Sequence, residues 1–109
     1  MIALVEQKKS ELFERCRKFQ VERLDLFGSA ATTSFQPDSS DLDFVVEFGN
    51  RVPGTYLDRY LDFAEALEKL FARPVDLITE RAIQNPYFRQ SVTSTRQPIY
   101  ERRNEEAAA

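Results

Sequence analysis

Residues 41–48, with the sequence DLDFVVEF, constrain the fold most, because their apolar and polar side chains alternate. Successive side chains of a β-strand point to opposite faces of the sheet, so this segment predicts a strand with one apolar face. That face carries Leu42, Phe44, Val46 and Phe48. The opposite face begins with two carboxylates, Asp41 and Asp43, which strands disfavour and which repel each other. The two aspartates therefore cost stability and indicate a functional role.

The remaining chain alternates predicted strands and helices. Strands are predicted over residues 21–28 and 74–79, and helices over residues 2–19, 55–73 and 85–98. Asn85 is the expected N-cap of the last helix, and Pro98 lies just beyond its end. This order predicts an α/β (α+β) fold with a small mixed sheet, three-stranded or slightly larger, that has helices on one face.

The helix over residues 55–73 has a pronounced apolar stripe, which is expected to pack in the core. The stripe consists of Leu57, Tyr60, Leu61, Ala64, Leu67, Leu70 and Phe71. Thr55 with Asp58 is the expected N-cap, and Glu65 and Lys69 form an expected ion pair one turn apart. In the first helix, the single cysteine, Cys16, is expected to be a buried apolar residue.

The 109 residues are enough for one small domain, predicted over residues 1–100, with a flexible tail over residues 101–109. The formal net charge of −3 argues against an extended surface for nucleic acid or anionic membrane. The sequence contains no run of about 20 apolar residues. We therefore expect a cytoplasmic protein without membrane or direct nucleic-acid partners.

The sequence contains no histidine, which excludes Ser-His-Asp and Cys-His catalysis and every histidine-ligated metal site. Any chemistry must depend on carboxylates, hydroxyls, lysines, arginines or a bound metal ion. If the strands over 41–48 and 74–79 are neighbours, Asp76 joins Asp41 and Asp43 on one face. Close carboxylates repel unless a divalent cation neutralises them, and magnesium prefers such oxygen ligands. A pair of aspartates alone often lies on a solvated strand edge, but the third carboxylate favours metal binding.

Gly28 and Ser29 end the first predicted strand and precede a loop of small and polar residues that begins with a short helical turn. Glycine lets a backbone approach a phosphate closely, and a serine hydroxyl with backbone N–H groups can donate to an anion. An isolated Gly-Ser pair is more often an ordinary turn. The order and spacing of this pair and the aspartates carry the functional prediction.

The segment GSAATTSFQPDSSDLD, together with PVDLIT, resembles the signature of the DNA polymerase β-like nucleotidyltransferase superfamily. The resemblance is closest to the minimal nucleotidyltransferases, the MNT or MntA-like antitoxins of HEPN/MNT toxin–antitoxin pairs, and covers nearly the whole chain. The loop between Ser29 and Asp41 is one residue longer than usual, and Thr33 stands where many relatives have glycine.

The resemblance implies a nucleotidyltransferase fold with Asp41, Asp43 and Asp76 as catalytic and metal-ligating residues that hold Mg²⁺, two ions being expected. Gly28 and Ser29 would bind the phosphates of a nucleotide triphosphate, with ATP as the expected substrate. The implied reaction is transfer of AMP to a hydroxyl, that of a tyrosine on a HEPN-domain toxin. The chain would then be an AMPylating antitoxin of a type VII-like pair and would form a hetero-oligomer with its toxin.

Three alternatives remain open from the sequence. The first is an antitoxin that neutralises its toxin by binding alone, and the second is a nucleotidyltransferase with a small-molecule acceptor. The third is a metal-dependent nuclease, although the segments around the three aspartates lack the lysine or histidine that such sites more often contain. The aromatic and aliphatic residues Tyr87, Phe88, Ile99 and Tyr100 are candidates for a partner surface or for ordinary packing.

Overall fold

A computed structural model describes residues 2–32, 41–49 and 56–102 and places four strands in one sheet. The strands are β1 (Val21–Phe27), β2 (Leu42–Phe48), β3 (Val75–Thr79) and β4 (Gln97–Glu101). Their order across the sheet is β3-β2-β1-β4, in which β2 and β3 are parallel and the other two pairs are antiparallel. The predicted fold class and its small mixed sheet are confirmed.

Within the described ranges, four helices pack around this sheet, namely α1 (Ala3–Gln7), α2 (Lys9–Lys18), α3 (Tyr56–Phe71) and α4 (Pro86–Thr95). Short 3₁₀ turns follow β1 over Gly28–Ala31 and β3 over Glu80–Ala82. The single helix predicted over residues 2–19 is instead two, because Lys8 leaves helical geometry with φ −102° and ψ 11°. The predicted cap of α4 is confirmed, since the Asn85 side chain accepts hydrogen bonds from the N–H groups of Tyr87 and Phe88.

Helix α3 connects the two parallel strands, a connection that requires a crossover element. The predicted stripe of α3 is wrong at its outer positions, because Leu57 and Leu61 are 62% and 53% exposed. Phe63, absent from the predicted stripe, is fully buried and lies between the rings of Phe19 and Phe48 at centroid distances of 5.6 and 5.8 Å. Burying this large ring turns the helix so that the smaller leucines face outward. The Glu65–Lys69 ion pair is confirmed at 2.8 Å, whereas Thr55 lies outside the described residues.

The core has two parts, one on each face of the sheet. The main cluster includes buried Cys16, as predicted, and joins α1, α2 and α3 to the inner residues of the strands. A smaller cluster on the opposite face consists of Phe27, Val45, Ile83 and Val92. The prediction of helices on one face is therefore incomplete, because α4 covers part of the second face through Val92.

Strand β4 was not predicted, because Pro98 was interpreted only as the stop signal of the preceding helix. Proline is also tolerated in an edge strand, which is the position of β4. Ile99 and Tyr100 are buried in this strand at 7% and 3% exposure, so of the two alternatives for these residues the structure supports ordinary packing. Tyr87 and Phe88 remain exposed at 84% and 42%. The predicted tail falls mostly on residues 103–109, outside the described residues, and stays a prediction.

None of the helices that the structure describes combines the length and apolar character needed to cross a lipid bilayer.

Candidate active site

The sheet brings together the end of β1 and the starts of β2 and β3. Asp43 pairs with Asp76 across the parallel strands and with Phe27 across the antiparallel pair. Neighbouring strands lie about 4.8 Å apart, so the backbone of Asp43 is one strand spacing away from that of Asp76 on one side and that of Phe27 on the other. Asp41 directly precedes β2. The register therefore places three of the predicted site residues at the same end of the sheet, where β2 and β3 begin. These residues are Asp41, Asp43 and Asp76.

The backbone of Gly28 closes against the Asp43 carboxylate. Gly28 has φ +71°, and a Cβ added at this position would lie 2.5 Å from Asp43 Oδ2. The conformation is one that residues with side chains rarely adopt, and the distance leaves no room for another atom. Both constraints require glycine here and place the turn after β1 directly beside the carboxylates.

The electrostatics of the site follow from this crowding. Burial, and then the negative charges of Asp76 and Asp41, raise the pKa of Asp43 from 3.8 to about 6. Each cause disfavours the ionised carboxylate, and a cation bound nearby would oppose all of them. The protein alone therefore leaves the negative charge of Asp43 uncompensated.

The three carboxylates offer hard oxygen ligands of the kind that magnesium prefers. Among the described residues, no group of three acidic, cysteine or histidine side chains is gathered closely enough to hold a metal ion as the side chains lie. Asp41 and Asp76 are exposed, however, and Asp43 is half-buried beside the Gly28 turn. Donor type, charge and exposure therefore fit a divalent cation at Asp41, Asp43 and Asp76.

Three hydrogen bonds hold the 3₁₀ turn after β1. The Ser29 carbonyl accepts hydrogen bonds from the backbone N–H and the hydroxyl of Thr32, at 3.1 and 3.0 Å. The Gly28 N–H donates to Thr95 Oγ1 at 2.9 Å. The Gly28 N–H is therefore already paired, and the Ser29 hydroxyl remains the side-chain donor of this turn. Thr95 was missed from the sequence, because no pattern there relates the end of α4 to a turn 67 positions earlier.

An apolar groove of about 310 Å³ borders β3 on its outer edge. It is lined by Tyr56, Leu57, Tyr60, Leu77, Ile78, Thr79 and Ala82. The Tyr60 hydroxyl donates a hydrogen bond to the Leu77 carbonyl. Burial, and then the charge of Asp76, raise the pKa of Tyr60. The groove residue Leu77 directly follows Asp76 in β3.

Comparisons with known proteins give the family of this chain. The model of the nucleotidyltransferase domain family matches residues 9–99. A Methanocaldococcus jannaschii protein with the provisional name of protein adenylyltransferase is 42% identical over 76 residues, which are 69% of this chain and 73% of the relative. A second protein of that organism, with the same provisional name, is 30% identical over 89 residues, covering 82% of this chain and 84% of its own.

Solved structures show the same fold. A protein provisionally described as a minimal nucleotidyltransferase superposes with a TM-score of 0.68 at 28% identity, covering 86% of this chain and 91% of its own. A chain from the complex of tri-AMPylated Shewanella oneidensis HEPN toxin with MNT antitoxin superposes with a TM-score of 0.60 at 15% identity. The superposition covers 94% of this chain and 77% of the other. The chain therefore belongs to the nucleotidyltransferase domain family and resembles its minimal members.

Proposed function

We propose that this protein transfers AMP from ATP to a hydroxyl group of a partner protein, a tyrosine of a HEPN-domain toxin, and so acts as the antitoxin of a type VII-like pair. The observation that carries the proposal is the contact between the Gly28 turn and Asp43, with Asp76 on the next strand. A phosphate-binding turn, a charged centre and a further carboxylate follow one another across three adjacent strands. This order matches the three requirements of an in-line phosphoryl transfer, which are binding of the phosphates, neutralisation of their charge and orientation of the attacking oxygen.

Each residue of the site has a defined role in this proposal. Asp41, Asp43 and Asp76 hold Mg²⁺, which when bound neutralises the carboxylates and the charge that develops on the phosphates. The Gly28 turn lets the backbone approach the triphosphate closely, and the Ser29 hydroxyl donates a hydrogen bond to a phosphate oxygen. The acceptor oxygen forms a bond to the α-phosphorus, and the bond from that phosphorus to the bridging oxygen breaks. Pyrophosphate leaves, and Asp76 accepts the proton of the acceptor hydroxyl.

The partner is proposed from the relatives. The M. jannaschii relatives are named as adenylyltransferases that act on proteins, and the structural neighbour from S. oneidensis is a complex that contains an AMPylated HEPN toxin. The apolar groove along β3 is suited to the ring of an acceptor tyrosine that approaches from the β3 side.

The decisive experiment is intact-mass spectrometry of a HEPN-domain protein encoded beside this chain, after incubation with this protein, Mg²⁺ and each nucleoside triphosphate. We expect the mass of one or more AMP groups on the HEPN protein with ATP. Asp43→Asn and Asp76→Asn should abolish the adduct. The matched control is Asp62→Asn, an exposed aspartate of α3 outside the site, which should leave the adduct unchanged.

Other outcomes would replace the proposal. A stable complex that neutralises the toxin without any adduct would make this chain a binding antitoxin. An adduct on a small hydroxylated molecule, with none on protein, would assign a small-molecule acceptor. Cleavage of nucleic acid that depends on the same three aspartates would assign a nuclease.

A further inference from the structure

The hydroxyl of Thr95 connects the end of α4 to the turn after β1. It accepts the hydrogen bond from the Gly28 N–H at 2.9 Å and lies 3.4 Å from the Val92 carbonyl of its own helix, to which it donates. Gly28 is the residue whose left-handed backbone packs against the Asp43 carboxylate. Thr95 is therefore one contact away from the proposed catalytic centre without touching it.

The residue after Thr95 is anchored to β1 by buried charge. The Arg96 guanidinium forms ion pairs with Asp25, whose side chain is fully buried, and with Glu80. Arg23 adds a second cation at 3.2 Å from Asp25. A buried carboxylate without a cation is strongly unfavourable, so this contact fixes the junction between α4 and β4 against the middle of β1.

The helix itself is fixed from its other side. Val92 is 1% exposed and packs with Phe27, which precedes Gly28, and with Val45, which lies in β2 with Asp43. The position of the Thr95 hydroxyl is thus set by apolar packing one turn before it and by an ion pair one residue after it. A hydroxyl held in this way can define where the Gly28 turn lies.

We propose that Thr95 is a positioning residue of the nucleotide site, which holds the Gly28 turn at the separation from Asp43 that the triphosphate requires. The inference rests on the proposed function, because it assigns the Gly28 turn to phosphate binding. It adds a role for α4, an element that contributes no carboxylate to the site. The Gly28 N–H acts here as a structural donor, and the Ser29 hydroxyl contacts the nucleotide.

The test compares Thr95→Val, which keeps the shape and removes the hydroxyl, with Thr95→Ser, which keeps the hydroxyl. Loss of one hydrogen bond at the turn should weaken binding of Mg²⁺–AMP-PNP about tenfold in Thr95→Val. Thr95→Ser should bind within about twofold of the wild type, since its hydroxyl can accept the same hydrogen bond. Thr93→Val, an exposed threonine of the same helix, is the matched control and should have no effect.

Amide hydrogen exchange measured by NMR supplies a readout that is independent of nucleotide. The Gly28 amide should exchange about tenfold faster in Thr95→Val than in the wild type, while core amides of α3 keep their protection. A purely structural role would lower global stability and accelerate exchange throughout the protein, without a specific loss of nucleotide affinity.

The outcomes separate this inference from the proposed function. Wild-type protein that does not bind Mg²⁺–AMP-PNP would overturn the proposed function, and with it this inference. Wild-type binding with unchanged affinity in Thr95→Val would overturn the role of Thr95 alone. If Thr95→Val does not fold, Thr95→Ala and Thr95→Ser decide, because only the serine variant should retain both the affinity and the Gly28 protection.

Discussion

At the scale of single residues, Gly28 joins backbone geometry to the charge of the site. We expect Gly28→Ala to lower the free energy of unfolding by about 1–2 kcal/mol, because its φ of +71° is unfavourable for a residue with a Cβ. The Cβ would also displace the Asp43 carboxylate, and a misplacement of about 1 Å can reduce catalysis about 100-fold. Urea unfolding and the AMP-transfer rate measure the two effects.

Gly49→Ala is the matched control for Gly28→Ala. A Cβ at Gly49 would lie 3.3 Å from Glu22 Oε2, the end of a flexible side chain that can move aside. We expect nearly unchanged stability and activity in this variant. Equal loss of activity in the two variants would show that the contact between Gly28 and Asp43 has no special role.

At the scale of secondary-structure elements, the buried ion network joins β1, the turn after β3 and the end of α4. Arg96→Met should destabilise the protein by about 3 kcal/mol, because Asp25 would stay buried with Arg23 alone as a partial counter-charge. Lys69→Met removes one partner of the exposed Glu65–Lys69 pair and should cost less than about 0.5 kcal/mol. Urea unfolding of both variants at neutral pH tests the difference, and equal losses would contradict it.

The same network predicts a pH dependence of stability. The hydrogen bond from Arg96 holds the pKa of Glu80 below its ordinary value of 4.5, and Arg89 adds to the effect. The folded-state pKa is lowered, so the stabilisation is fully present above pH 4.5 and is lost as pH falls through the folded-state pKa. The difference in unfolding free energy between wild type and Glu80→Gln should therefore shrink below pH 4.5. A difference that is constant from pH 7 to pH 3 would refute this assignment.

Strand β3 lies at the edge of the sheet, and α3 covers two of its backbone groups. The Tyr60 hydroxyl donates to the Leu77 carbonyl, and Glu68 Oε2 accepts from the Val75 N–H at 3.2 Å. Tyr60→Phe should lower stability by about 1 kcal/mol through loss of the first hydrogen bond. Tyr87→Phe, which changes a hydroxyl on a side chain that is 84% exposed, should have no measurable effect in the same urea titration.

The sequence was sufficient to predict those strands and helices that show their own periodic pattern of apolar side chains. Alternation placed Asp43 and Asp76 on one face, and the register of β2 and β3 confirms that they are neighbours. Strand β4 was missed because Pro98 ends a helix and is also compatible with an edge strand, so only pairing with β1 distinguishes the two. Thr95 could not be found, because its contact with Gly28 arises from packing of α4 on the second face of the sheet.

At the scale of the whole molecule, the carboxylates reduce the stability of the metal-free protein. We expect Asp43→Asn to raise the melting temperature in EDTA by about 4 °C, because it removes a half-buried charge that Asp76 and Asp41 repel. Mg²⁺ with AMP-PNP, added in place of EDTA, should raise the melting temperature of the wild type and leave that of the Asp43→Asn variant unchanged. Scanning calorimetry of both proteins, with Asp62→Asn as control, measures the two effects. A variant less stable than the wild type in EDTA would refute the repulsion.

The strand order has a consequence for how the protein is made. Strand β1 is the first of the described strands, yet its neighbours are β2 on one side and β4, the last of them, on the other. During synthesis the N-terminal part can pair β1 with β2 and add β3, whereas the other edge of β1 stays open until residue 101 has emerged. The three carboxylates all precede α4 in the sequence, whereas the Gly28–Thr95 hydrogen bond needs α4 to be docked on β1. We therefore expect competence to bind nucleotide to be a late event of folding, reached only when α4 and β4 have joined the sheet.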